Sequence, residues 1–93
     1  MTSNQLKFGC LPPETQKALL LVGLEVERAK AKHPKWSTDN VYRALIVCEE
    51  AGELAQAALQ HAEEGGELSR VGKEAVHTAA TAVRLIEELN QGN

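Results

Sequence analysis

Apolar positions recur along this chain at the three- and four-residue steps of α-helices, with polar positions filling the remaining faces. The longest such run lies between Asp39 and Ala62, where Val41, Leu45, Cys48, Ala51, Ala55, Ala58, Leu59 and Ala62 keep the step. It predicts a helix from Thr38 to Ala62, about 38 Å long at ~1.5 Å per residue. An earlier helix is predicted from Pro13 to Lys32. Pro12-Pro13-Glu14 starts it, because proline suits the first turn and Glu14 complements the helix dipole there. Its run Ala18 to Leu24 is apolar almost all round, which predicts cover on more than one side. From Glu25 the pattern turns polar, through Glu27, Arg28, Lys30 and Lys32. A third helix is predicted from Glu67 to Leu89. Its broad apolar face carries Leu68, Val71, Ala75, Val76, Ala79, Ala82, Val83, Ile86 and Leu89, and a mixed polar stripe carries Glu67, Arg70, Glu74, His77, Thr81 and Arg84.

The breaks between these runs have local causes. Pro34 disfavours helical geometry at His33, and Ser37, Thr38 or Asp39 supplies the next cap. Gly65-Gly66 provides the left-handed exit from the second helix and makes the second and third helices antiparallel neighbours. Gly52 costs about 1 kcal/mol against alanine inside a helix. That cost is accepted where another helix or a ligand approaches closely, helix packing being the commoner reason. Residues 1–11 read as a mobile N-terminal arm that Leu6, Phe8 and Leu11 can anchor on the bundle or on a neighbouring subunit. Asn90 to Asn93 is expected to fray.

Composition narrows the class. Ninety-three residues, rich in Ala and Leu and with Phe8, Trp36 and Tyr42 as the only aromatic residues, favour a single all-α domain over residues 12–93. Three helices give a thin core, so a four-helix-bundle-like arrangement completed by oligomerisation is expected. The formal charge of −3 offers no basic footprint for nucleic acid, and a polyphosphate ligand would need a metal to offset the local acidity. Cys10 and Cys48 fit no zinc spacing, and Cys48 reads as a small core residue. With neither a signal-peptide pattern nor an apolar run of ~20 residues, the expected location is cytoplasmic, without a membrane partner.

Chemistry concentrates on Glu49-Glu50-Ala51-Gly52-Glu53-Leu54. At ~100° per residue Glu50 and Glu53 share one helical stripe with Arg43 and Ile46, and Glu49 flanks it. Carboxylates one turn apart are what a hard divalent cation accepts from one helix. On the third helix Glu74 and His77 are also one turn apart, at a similar height beyond the glycine turn. Solvated glutamates on an Ala-rich helix, and an ordinary polar role for His77, would give the same pattern. Trp36, in the loop before the carboxylate helix, reads either as a hydrophobic staple or as a stacking surface for a planar ligand.

Glu49-Glu50-Ala51-Gly52-Glu53-Leu54 resembles the E-E-x-G-E-L signature of MazG-like nucleotide pyrophosphohydrolases, the all-α NTP pyrophosphatases. His33-Pro34-Lys35-Trp36-Ser37 is similar to the entry segment of short members, and Glu74 to Arg84 to their second metal helix; the resemblance spans Glu25 to Leu89. It implies hydrolysis of a (deoxy)nucleoside triphosphate to the monophosphate and pyrophosphate, with Mg²⁺ held by an E-x-x-E and an E-x-x-D pair, in a homodimer or homotetramer. By position, Glu50 and Glu53 match the first pair and Glu74 the second glutamate. His77 stands in place of the aspartate, which opens the site to Mn²⁺, since imidazole is a poor Mg²⁺ ligand. Glu49 or Glu50 would orient or deprotonate the attacking water, Arg43 and Arg84 would meet the outer phosphates, and Trp36 would stack on the base. Two alternatives stand beside this reading. One is an inactive helical oligomer of the same fold. The other is a di-iron site built across a dimer from Glu74-x-x-His77 and a single glutamate.

Overall fold

A computed structural model describes residues 7–91. Among them the chain forms three α-helices, α1 (Pro13–Lys32), α2 (Asn40–Glu64) and α3 (Leu68–Asn90), after a 3-10 turn at Phe8–Cys10, and no strand. None of the helices is long and apolar enough to cross a membrane. α1 has the predicted bounds. α2 starts later than Thr38 because Asp39 takes the cap: its carboxylate accepts from the Val41 amide at 2.9 Å, and the Ser37 hydroxyl accepts from the Asp39 amide at 3.1 Å. α2 runs past Ala62 to Glu64, where Gly65 adopts φ 72°. The Gly65 and Gly66 amides both donate to the Gln60 carbonyl, Gly66 at 3.0 Å, as a glycine exit allows.

The cross-helix contacts order the elements. Going along α2, Arg43 meets Glu88 at 3.6 Å and Gln60 accepts from Arg70. Advance along α2 is thus retreat along α3, and the two form the antiparallel hairpin. α1 runs the other way. Glu25 lies 3.6 Å from His77 and Lys30 3.0 Å from Glu87, so α1 rises alongside α3. α1 packs on α3, with little direct contact to α2.

The faces that meet are not those of the apolar pattern. On α2, Arg43 and Ala57 are buried, and Ile46, Val47, Glu50, Leu54 and Gln60 are half-buried. The apolar stripe of Val41, Leu45, Cys48, Ala55, Leu59 and Ala62 is exposed, Val41 to 68% and Leu45 to 58%. Cys48 is therefore not a core residue. Gly52 lies on the same outward stripe, with nothing near the place a Cβ would take. In α1 the apolar run expected to be covered stays open as well: Leu20, Leu21 and Leu24 are all exposed. The buried apolar side chains among the described residues are only Val26, Ala57 and Ala80. The seam carries charges because α3 supplies their counterparts, and among the described residues no element covers the apolar stripes.

Of the predicted arm, Met1–Leu6 lies outside the described residues. Lys7–Leu11 makes a closed turn, the Leu11 amide donating to Phe8 at 3.0 Å, and Phe8 and Leu11 remain exposed rather than anchored on the bundle. α3 holds its helix to Asn90, and the fraying expected of Gly92 and Asn93 lies outside the described residues.

Candidate metal centre and its cleft

Antiparallel register brings the carboxylate stripe of α2 against the polar stripe of α3. Donor atoms of Glu50, Glu74 and His77 all fall within 4.8 Å of one another. Glu50 Oε2 and Glu74 Oε2 are buried and have no hydrogen-bond partner among the described residues. Carboxylate oxygens withdrawn from water without a donor are costly, by several kcal/mol if ionised. A divalent cation would satisfy both at once, and two carboxylates with one imidazole form a donor set suited to Mn²⁺, Fe²⁺ or Zn²⁺ as well as to harder ions. The residues present therefore fit a metal.

The other predicted site residues are placed differently. Glu53 and Glu49 are exposed and outside the three-donor group. Both act on Glu50 through charge. Burial is the main force pushing the Glu50 carboxyl above the ordinary range, with Glu53, Glu74 and Glu49 adding repulsion and His77 opposing it. A folded-state pKa above the unfolded value means that the folded chain holds its proton more tightly. Stability is then highest below the unfolded carboxylate range and declines as pH rises through the folded value. In thermal melts in chelator the parent should lose stability relative to Glu50→Gln above about pH 4.3, while the lowered carboxyl of Glu25 tilts both profiles alike in the opposite sense. Equal slopes would mean that Glu50 carries no such strain.

Two of the three donor residues face a cleft of about 500 Å³, which Glu74 does not line. Glu50 and His77 line it together with the cations Arg28, Lys32, Lys35 and Arg84 and the rings of Trp36 and Tyr42. Trp36 is half-buried, and both nearby guanidiniums lie against its ring, Arg84 at 4.9 Å and Arg43 at 5.8 Å from the centroid. Arg84 also donates through Nη2 to the His33 carbonyl at 3.1 Å. The loop of residues 33–39 is thus tied to α3 through backbone and ring together. Arg43 does not line the cleft. It is buried behind Trp36, bonded to Asn40 Oδ1 at 2.6 Å and paired with Glu88.

α1 contributes what the helical pattern left unassigned. Glu25 lies 3.6 Å from His77 Nε2 and accepts two hydrogen bonds from Arg28, at 2.8 and 2.5 Å. The Arg28 fork holds the Glu25 carboxyl below its usual range. Glu25, Arg28 and Lys32 come from the stretch where the α1 pattern turns polar. That turn was the available signal for a site-facing segment. No family model, curated protein or solved structure matches this chain.

Proposed function

We propose that this chain is a metal-dependent nucleoside triphosphate pyrophosphohydrolase of the MazG-like kind, converting a (deoxy)nucleoside triphosphate to the monophosphate and pyrophosphate. The observation that carries the reading is a three-donor group, Glu50, Glu74 and His77, joined through Glu50 and His77 to a cleft whose wall carries Lys32, Lys35, Arg84, Trp36 and Tyr42 among apolar and neutral polar side chains and the Glu25–Arg28 pair. An anionic, ring-bearing ligand that brings or recruits a cation fits that combination better than a purely apolar one.

In this reading Glu50, Glu74 and His77 hold a divalent cation, Mg²⁺ or, favoured by the imidazole, Mn²⁺. When bound, the cation would neutralise phosphate oxygens and lower the cost of charge developing on them. Lys32 and Lys35 add positive potential along the polyphosphate, the charge of Arg28 being paired with Glu25. Arg84, fixed on the His33 carbonyl, presents its remaining donors to the same ligand. Trp36 and Tyr42 offer surfaces for the base, while Arg43 supports Trp36 from behind. Glu50 or the exposed Glu49 accepts the proton of the attacking water, and Glu53 adjusts the charge beside them. Such chemistry suits the cytoplasm, where nucleoside triphosphates are made.

The outward stripes of α1 and α2 complete the proposal: a second copy covers them, giving a homodimer, or a homotetramer if both stripes are used separately. A second reading draws on the same donors. One glutamate plus Glu74-x-x-His77 is half of a di-iron carboxylate site, and the exposure of Glu53 leaves the group with that composition.

Pyrophosphate release from a panel of canonical and modified (deoxy)nucleoside triphosphates, with Mg²⁺ and with Mn²⁺, tests the proposal. Metal-dependent release is the expected result. No release with any substrate or metal would leave an inactive helical oligomer of the same fold. Co-purified iron with a near-ultraviolet band and no hydrolysis would turn the assignment to the di-iron site.

A further inference from the structure

Histidine has two ring nitrogens, and whatever faces one of them decides which is left for a cation. In this chain His77 Nε2 is 3.6 Å from Glu25 Oε2. That is an ion-pair separation, longer than a formed hydrogen bond. Arg28 holds Glu25 in this orientation through both of its oxygens, Nε on Oε1 at 2.8 Å and Nη2 on Oε2 at 2.5 Å. The carboxylate is also largely shielded, with its side chain 15% exposed. Glu25 lies outside the group whose donors share a 4.8 Å sphere. It borders the donor set without joining it.

We infer that Glu25, locked by Arg28, is a positioning residue for His77: it takes the proton-bearing Nε2 and leaves Nδ1 as the nitrogen that ligates a divalent transition cation with Glu50 and Glu74. The inference rests on the metal reading of the site and adds to it the tautomer, the ligating atom and the α1 residues that set them. A carboxylate on the far nitrogen of a ligating histidine fixes the ring and raises its basicity, and its loss typically weakens metal binding about 10- to 100-fold. The arrangement has a role only because position 77 carries an imidazole, which has a second nitrogen to be held; an aspartate there would have none. It also assigns the α1 ion pair a task that an exposed i, i+3 pair on a helix surface would not have.

The test is zinc titration of nitrogen-labelled protein, read by long-range proton–nitrogen correlation of the imidazoles, with His77→Gln used to assign the His77 signals. In the parent, zinc should move His77 Nδ1 to a metal-bound shift while Nε2 keeps its proton. In Glu25→Ala, zinc affinity should fall about 10- to 100-fold and the fixed choice of nitrogen should be lost. Glu25→Gln, whose amide oxygen can still accept from Nε2, should restore Nδ1 ligation. A purely structural role for Glu25 would alter the melting temperature and leave the bound nitrogen unchanged. Zinc bound through Nε2 in the parent, or Nδ1 ligation at full affinity in Glu25→Ala, would overturn this inference alone. Zinc that leaves His77 unshifted in the parent would overturn the metal reading and the inference together.

Discussion

Replacing Glu50 with glutamine should lower metal-dependent pyrophosphate release by about a thousandfold, whereas Glu53→Gln should cost only about tenfold. A thousandfold loss corresponds to about 4 kcal/mol of transition-state stabilisation. The contrast follows from placement. Glu50 sits in the three-donor group, one of its oxygens buried and without a hydrogen-bond partner among the described residues. Its amide replacement would keep the shape and lose the charge. Glu53 is one turn further along α2 but exposed, and it reaches the site through its repulsion of Glu50. Steady-state rates for both variants at saturating Mn²⁺, with metal affinity measured separately, decide the matter. Equal, complete losses would restore Glu53 to the ligand set, with α2 supplying a pair. An active Glu50→Gln enzyme would remove the carboxylate helix from the chemistry.

The sequence pattern made the helices legible, along with the chemistry-bearing residues of two of them. α1 begins and ends where Pro12-Pro13-Glu14 and His33-Pro34 place it, since proline geometry acts locally and needs no tertiary partner. The pairing of Glu50 with Glu74 and His77 was also within reach, because a glycine turn of fixed length sets the register of the hairpin. Which side of α2 faces α3 was not. Periodicity identifies an apolar stripe but not its partner, and here the stripe with Leu45 and Cys48 points away while Arg43 and Glu50 point in. Burial is decided by which counter-charges a neighbouring helix offers as well as by apolar spacing, and α3 offers Glu88 to Arg43. The third contributor, Glu25 with Arg28, was hidden for a related reason. It lies more than fifty residues from His77, and no turn geometry links α1 to α3 as Gly65-Gly66 links α2 to α3.

That inversion leads to the second large effect. Leu45→Glu should leave each chain helical and weaken its self-association by about a hundred- to several-thousandfold. Leu45 is 58% exposed in the single chain, so a carboxylate there meets water and costs the monomer little. Buried against a second copy, the same carboxylate would be a charge without a partner, worth about 3–5 kcal/mol, and each 1.4 kcal/mol is tenfold in dissociation constant. Gly52→Ala probes the same stripe in the opposite sense. Nothing in the chain lies within 4 Å of the added methyl, so an isolated chain should gain about 1 kcal/mol of helix stability. If a partner helix approaches closest at that glycine, as the step through Leu45, Cys48, Gly52 and Leu59 suggests, the methyl should instead loosen the assembly. Sedimentation equilibrium over a wide concentration range, with thermal melts of each variant, separates the two effects. A parent that stays monomeric at every concentration, and is stabilised by Gly52→Ala, would show that the stripe has no copy of the chain as its cover. A cooperative parent transition that moves to higher temperature with concentration, and loses that dependence in Leu45→Glu, would show that the missing layer of the core is another molecule of the same chain.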